Sequence, residues 1–204
     1  MTTIASLRTG FLNTYLKRTD GDPAPWTDAD CDLALSDAVG DLWPDLGSKT
    51  TGIVATDAST DRYTIPGSIV YVARIDVESS TAEYLDTVTK WRYFPDADPP
   101  TKVIIAPKLQ TGYNLRFYGY IPFTVTSLLP RLEGAVASLG ASYCYGILAG
   151  QLVNSQRQQG LDSGRVVDYQ TAVGLSAYWM RQYQDAIRGD PSMVTNAPRA
   201  SLRR

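Results

Sequence analysis

Histidine is absent from these 204 residues. That removes the commonest general base, the Ser-His-Asp and Cys-His arrangements, and the commonest metal ligand. Cysteine occurs only as Cys31 and Cys144, at positions that read as buried on helices. This count and spacing suit neither a disulfide framework nor a zinc site. The phosphate-cradling patterns GxGxxG and GxxxxGK[ST] are missing, so no cofactor is expected. No run reaches the roughly 20 apolar residues of a membrane span, and 135–149, the nearest, is short and glycine-rich. MTTIASLRTGF lacks the basic start and apolar core of a signal peptide, which points to a soluble protein made in the cytoplasm. From Asp20 to Asp45 there is no lysine or arginine, yet there are eight aspartates.

What is present suits a folded chain, with 44% hydrophobic and 20% charged residues, ordinary globular values. Residues 3–18 repeat apolar side chains at helical spacing. TDGDPAP is a turn cluster, after which Thr27 caps a second helix with Asp30 at its third position. Trp26, just before the cap, is placed to staple onto Cys31. The period then changes. Six β-branched and aromatic runs, at 52–56, 62–66, 69–78, 87–94, 102–106 and 113–125, predict an antiparallel sandwich or small barrel. In IVYVARIDVE the alternation puts Ile69, Tyr71, Ala73, Ile75 and Val77 on one face. It puts Arg74, Asp76 and Glu78 on the other, which reads as wet.

Helical period returns after Pro130, in a slim glycine- and alanine-rich helix, and again from about Arg165 to Ile187. The fold class expected is α+β. It comprises an N-terminal helical part (1–48), an inserted β-module (49–126), a C-terminal helical pair (127–189) packing on the first helices, and an extended tail (190–204).

The segment WTDADCDLALSDAVGDLWPDL predicts one amphipathic helix ending at Pro44 and Gly47, with Asp30, Asp37, Asp41 and Asp45 on its outer face. Paired carboxylates do acid–base work only when their environments split their pKa values, and a solvated helix face does not. Asp20, Asp22, Asp28, Asp30 and Asp32 offer hard oxygen ligands, but the calcium-loop spacing is absent. A solvated face or a negative surface facing a partner or channel remains. Arg188, Arg199, Arg203 and Arg204 make the C-terminal end basic, either a solvated terminus or a docking segment. The strand aromatics Trp91, Tyr93, Tyr118 and Tyr120 raise the alternative of a carbohydrate- or peptide-binding β-module.

Three passages carry a resemblance. TIASLRTGFLNTYLKR precedes a helix opened by the Trp-Thr-Asp of WTDADCDLALSDAVGDLWP. YTIPGSIVYVARIDVE is a strand–Pro–strand passage. LLPRLEGAVASLGASYCYGILAGQL and VVDYQTAVGLSAYWMRQYQDAIRG form a helical pair. In this order they resemble the head-to-tail connector (adaptor) proteins of tailed bacteriophages. The resemblance implies a structural, non-enzymatic virion protein, made in the host cytoplasm and located in the neck. It implies a homo-oligomer, a dodecameric ring under the portal protein, that receives a downstream neck or tail protein. It also implies a channel that passes double-stranded DNA without tight binding, no membrane partner, and portal contacts from the C-terminal segment, here Arg188, Arg199, Arg203 and Arg204. An acidic wall fits such a conduit, because each phosphate neutralised would hold the duplex back.

Overall fold

The computed structural model describes residues 2–21, 25–95, 100–155 and 169–194. The fold is α+β, with helices and antiparallel sheets segregated along the chain. The chain divides into two compact units. One comprises the described residues of 1–43 and 123–193, and the other those of 44–122 with Val194.

The helical unit begins with α1 (Ile4–Leu7), a π turn (Arg8–Leu12) and α2 (Asn13–Leu16), capped by Thr3. Lys17 takes the left-handed conformation (φ 54°) and ends α2. Helix α3 (Asp28–Gly40) starts with the expected capping box between Thr27 and Asp30. It stops at Gly40 with Asp41 as its C-cap, so the helix expected to run to residue 46 is shorter, and Asp45 lies beyond it. Helix α4 (Glu133–Ser155) has 23 residues, about 35 Å at 1.5 Å per residue. Helix α5 (Tyr169–Ile187) has 19.

Leu7, Leu12, Leu35, Ala38, Val136, Ala137 and Cys144 are fully buried in this unit. Gly140 lets α3 and α4 approach, since a Cβ there would lie 3.1 Å from Leu35 Cδ2. Between α4 and α5 the contact is reciprocal. Ser142 Oγ donates to the Ser176 carbonyl and Ser176 Oγ to the Ser142 carbonyl, both at 2.9 Å. Each helix thereby satisfies a polar side chain inside the packed seam without an unpaired group. Tyr15 stacks on Trp179 with centroids 4.4 Å apart, and the Trp26 indole N–H donates to the Cys144 carbonyl at 2.9 Å. Among the described residues no helix is long and apolar enough to cross a membrane.

The β-unit holds β1 (Ser48–Ala55), β2 (Arg62–Thr64), β3 (Tyr71–Ser79), β4 (Tyr84–Thr87), β5 (Trp91–Phe94), β6 (Lys102–Ile105) and β7 (Tyr113–Ile121). Among the described residues two antiparallel sheets form, ordered β1-β7-β3-β4 and β2-β6-β5. They share one apolar cluster that includes Tyr63, Val72, Ile75, Val103, Ile105, Leu115 and Phe117. The single run expected at 87–94 is where the chain changes sheet, with Thr87 closing β4 and Trp91 opening β5.

Two expectations for β3 are corrected. The register shifts between Val72 and Arg74, a bulge that changes the alternation and turns Val72 inward beside Ile75 in place of Tyr71 and Ala73. The face carrying Asp76 and Glu78 is not wet, for these carboxylates are 1% and 5% exposed. Arg74 Nε holds Asp76 at 2.7 Å and Arg116 on β7 pairs with Glu78, so each buried charge has an opposite charge against it.

Candidate functional site

The acidic segment was the prime sequence candidate, and most of its charge is answered within the helical unit. Arg8, on the π turn, reaches Asp20 at 3.0 Å, Asp32 at 2.5 Å and Asp28 at 3.6 Å. Arg18 is buried, and its Nη2 lies 2.5 Å from Asp28 Oδ1. Its Nη1 donates to Asn13 Oδ1 and Cys31 Sγ, both at 3.1 Å. Asn13 completes the network by donating to Asp20 at 2.7 Å. Hydrogen bonds from Asn13 and then Arg8 hold the Asp20 carboxyl below the usual range. Arg18, with the Gly21 amide, does the same for Asp28.

Both arginines precede the acidic block in sequence, and the turn at Lys17 returns Arg18 toward the start of α3, a closure that local spacing does not reveal. The available signal was that Arg8 stands one helical turn from the buried Leu12.

The four predicted acidic residues do not form one face. Asp30 is committed to the cap, accepting from the Thr27 amide at 2.8 Å and its hydroxyl at 2.7 Å. These bonds hold its pKa low, the hydroxyl contributing most. Asp45 sits in the turn after α3, exposed, and falls in the other unit. The structure brings together only Asp37 and Asp41. Asp41 accepts from the Tyr143 hydroxyl at 2.6 Å. Burial, then this carboxylate, raises the Tyr143 pKa. Asp37 has no ion-pair partner among the described residues.

Asp37 and Asp41 rim an open groove of about 730 Å³ over α3, α4 and α5, whose lining includes Leu33, Tyr143, Ile147 and Met180. A second groove of about 580 Å³, between α4 and α5, adjoins it through Ser142, Gly146, Ser176 and Met180. Leu33 is 61% exposed and Ile147 48%. Such a surface can bind apolar side chains and cations. Its two carboxylates have no third partner of the kind that would create a metal cage, and no group of three ligand-type side chains occurs among the described residues.

Arg188 is exposed and lies 3.6 Å from Asp185. Arg199, Arg203 and Arg204 lie outside the described residues. The start of the expected extended tail is folded. Arg131 holds Asp190 at 2.9 Å and Ser192 Oγ at 2.7 Å. Burial opposes ionisation of Asp190, but the hydrogen bonds it accepts from Arg131 and from the Ser192 amide outweigh it, and its pKa is lowered.

The strand aromatics do not make one platform. Trp91 and Tyr93 stand edge-on to each other on β5 and pack against the apolar cluster. The Tyr93 hydroxyl accepts from the Val72 amide at 2.7 Å, and burial pushes its pKa up to about 12. Tyr118 and Tyr120 belong to the other sheet, where Arg74 lies over the Tyr118 ring at 5.5 Å.

No protein-family model and no curated protein matches this chain. Among solved structures it is similar to a protein in the neck of an empty GTA (gene transfer agent) particle computed with C6 symmetry. That match has 14% identity and a TM-score of 0.31, covering 86% of this chain and 87% of that one. It is also similar to one in the neck of a native GTA particle computed with C12 symmetry. There the identity is 12% and the TM-score 0.30, covering 88% of this chain and 91% of that one. Likeness at this level assigns no function by itself.

Proposed function

We propose that this chain is a head-to-tail adaptor in the neck of a phage-like particle, a structural protein that forms a dodecameric ring beneath the portal and joins it to a downstream neck or tail protein. The observation that carries this reading is the make-up of the helical unit. Segments 1–43 and 123–193 come together with the whole β-unit looped out between them, which is the order of elements on which the sequence resemblance rests. The same unit leaves Leu33, Ile147, Val173 and Tyr178 between 43% and 61% exposed, apolar surface of the kind that assembly covers.

In this reading the ring encloses a hydrated channel through which duplex DNA passes without tight binding. Internal pairing by Arg8 and Arg18 leaves few carboxylates of the acidic segment free for a channel wall or a subunit contact. Arg188 and the arginines at 199, 203 and 204 serve as portal contacts.

Mass photometry of the protein alone and mixed with portal tests the proposal. A closed ring, alone or on portal, is the expected result. A strict monomer that never joins portal would sink it.

A further inference from the structure

The helical unit carries two exposed faces of opposite character. The first is the groove over α3 and α4, with Leu33 and Ile147 standing out of it and Asp37 and Asp41 on its rim. The second is the outward stripe of α5. Residues 178, 181, 185 and 188 recur at three- and four-residue steps, so they share one side of the helix. The opposite side carries the buried Ala172, Tyr183 and Ile187. On the stripe Tyr178 is 50% exposed. Arg188 is already paired with Asp185, whereas Arg181 is exposed and has no ion pair among the described residues.

We infer that the α3–α4 groove of one copy receives the outward face of α5 of a second copy, with Arg181 meeting Asp37 and Tyr178 covering Leu33 and Ile147. This deepens the ring reading and rests on it. The occupant follows from complementarity. The groove offers unanswered negative charge beside apolar side chains, and the α5 stripe offers an unanswered positive charge beside an aromatic ring. Aromatic residues and arginine are the side chains best suited to such a contact. The two faces differ, so the contact is heterologous, the type that closes into rings. Asp37 is thereby a subunit contact, not a channel residue.

The test is charge reversal with rescue in the full-length protein, with ring formation read by mass photometry with and without portal. Asp37→Arg and Arg181→Asp are each expected to weaken assembly about tenfold, as close interfacial charge pairs do. The double variant is expected to recover most of it. Both positions are exposed, and an unchanged melting midpoint verifies the fold of each variant. An independent arm places Leu33→Cys and Tyr178→Cys on separate copies, and the expected outcome is an intermolecular disulfide under mild oxidant.

A wild-type ring indifferent to both reversals and giving no cross-link overturns this contact alone. Reversals whose effects add without rescue also overturn it. A wild type that stays monomeric with and without portal overturns the ring reading, and the contact with it.

Discussion

The Arg18 guanidinium lies 2.5 Å from the Asp28 carboxylate, beneath the first turn of the most acidic segment of the chain. One buried cation thus ties the loop after α2 to the start of α3, while also reaching Asn13 and Cys31. Arg18→Met is expected to lower the melting midpoint of the helical unit clearly, because it removes the short ion pair to Asp28 and the bond to Asn13 Oδ1. Arg8→Met, whose partners are more solvated, is expected to cost less. Differential scanning calorimetry of the two variants ranks them, and equal midpoints would contradict the network.

Acid should unfold the helical unit through the same carboxylates. Asp20, Asp28 and Asp30 have folded pKa values below their usual ones. Groups depressed in this way stabilise the fold fully above their unfolded pKa, about 3.9. They lose that contribution as pH falls through the lower folded value. The midpoint is therefore expected to stay flat from pH 7 to about 5 and to fall below about 4. In Arg18→Met the acid loss is shallower. A midpoint that declines between pH 7 and 5 would point to other groups.

Two glycine substitutions should separate. A Cβ at Gly119 would lie 2.3 Å from the Tyr71 carbonyl oxygen, a clash with backbone. Gly119→Ala is expected to destabilise the β-unit by more than about 2 kcal/mol. At Gly146 a Cβ would sit 3.7 Å from Ser176 Oγ, ordinary contact. There alanine is expected to stabilise α4 by roughly 0.5–1 kcal/mol through helix propensity. Urea titrations of both variants provide the check.

Removing 195–204, which carries Arg199, Arg203 and Arg204, is expected to weaken portal binding. Removing 190–204 is expected also to lower the melting midpoint, because it deletes Asp190 and Ser192, which hold Arg131. Calorimetry and a portal pull-down on the two truncations give the answer. Identical midpoints would show that the Arg131 contacts contribute nothing.

Both cysteines are fully buried. A thiol-exchange reagent should leave Cys31 and Cys144 unmodified in the native protein and label both in denaturant. Fast labelling of either in the native state would contradict the packing of α3 on α4.

Much of the fold follows from local pattern. The capping box at Thr27 and Asp30, the long α4 and α5, and the β-branched runs are each set by neighbours in sequence, so period and caps reveal them. The bulge near Ala73 was not legible, because alternation alone cannot say where one residue is skipped. Nor was the end of α3 at Gly40, where the apolar repeat runs on through Leu42 and Leu46 although the helix does not.

For the candidate site, the sequence by itself determined that this chain has no histidine-based chemistry, and that its second helix carries aspartate without local counter-charge. Only the tertiary structure decided which of those aspartates remain unanswered. Arg8 and Arg18 neutralise or bind Asp20, Asp28 and Asp32, the cap absorbs Asp30, and Asp37 and Asp41 are left beside exposed Leu33 and Ile147. The reason is physical. Coulomb pairing depends on distance in space, and a turn at Lys17 that brings Arg18 onto α3 leaves no periodic trace in the chain.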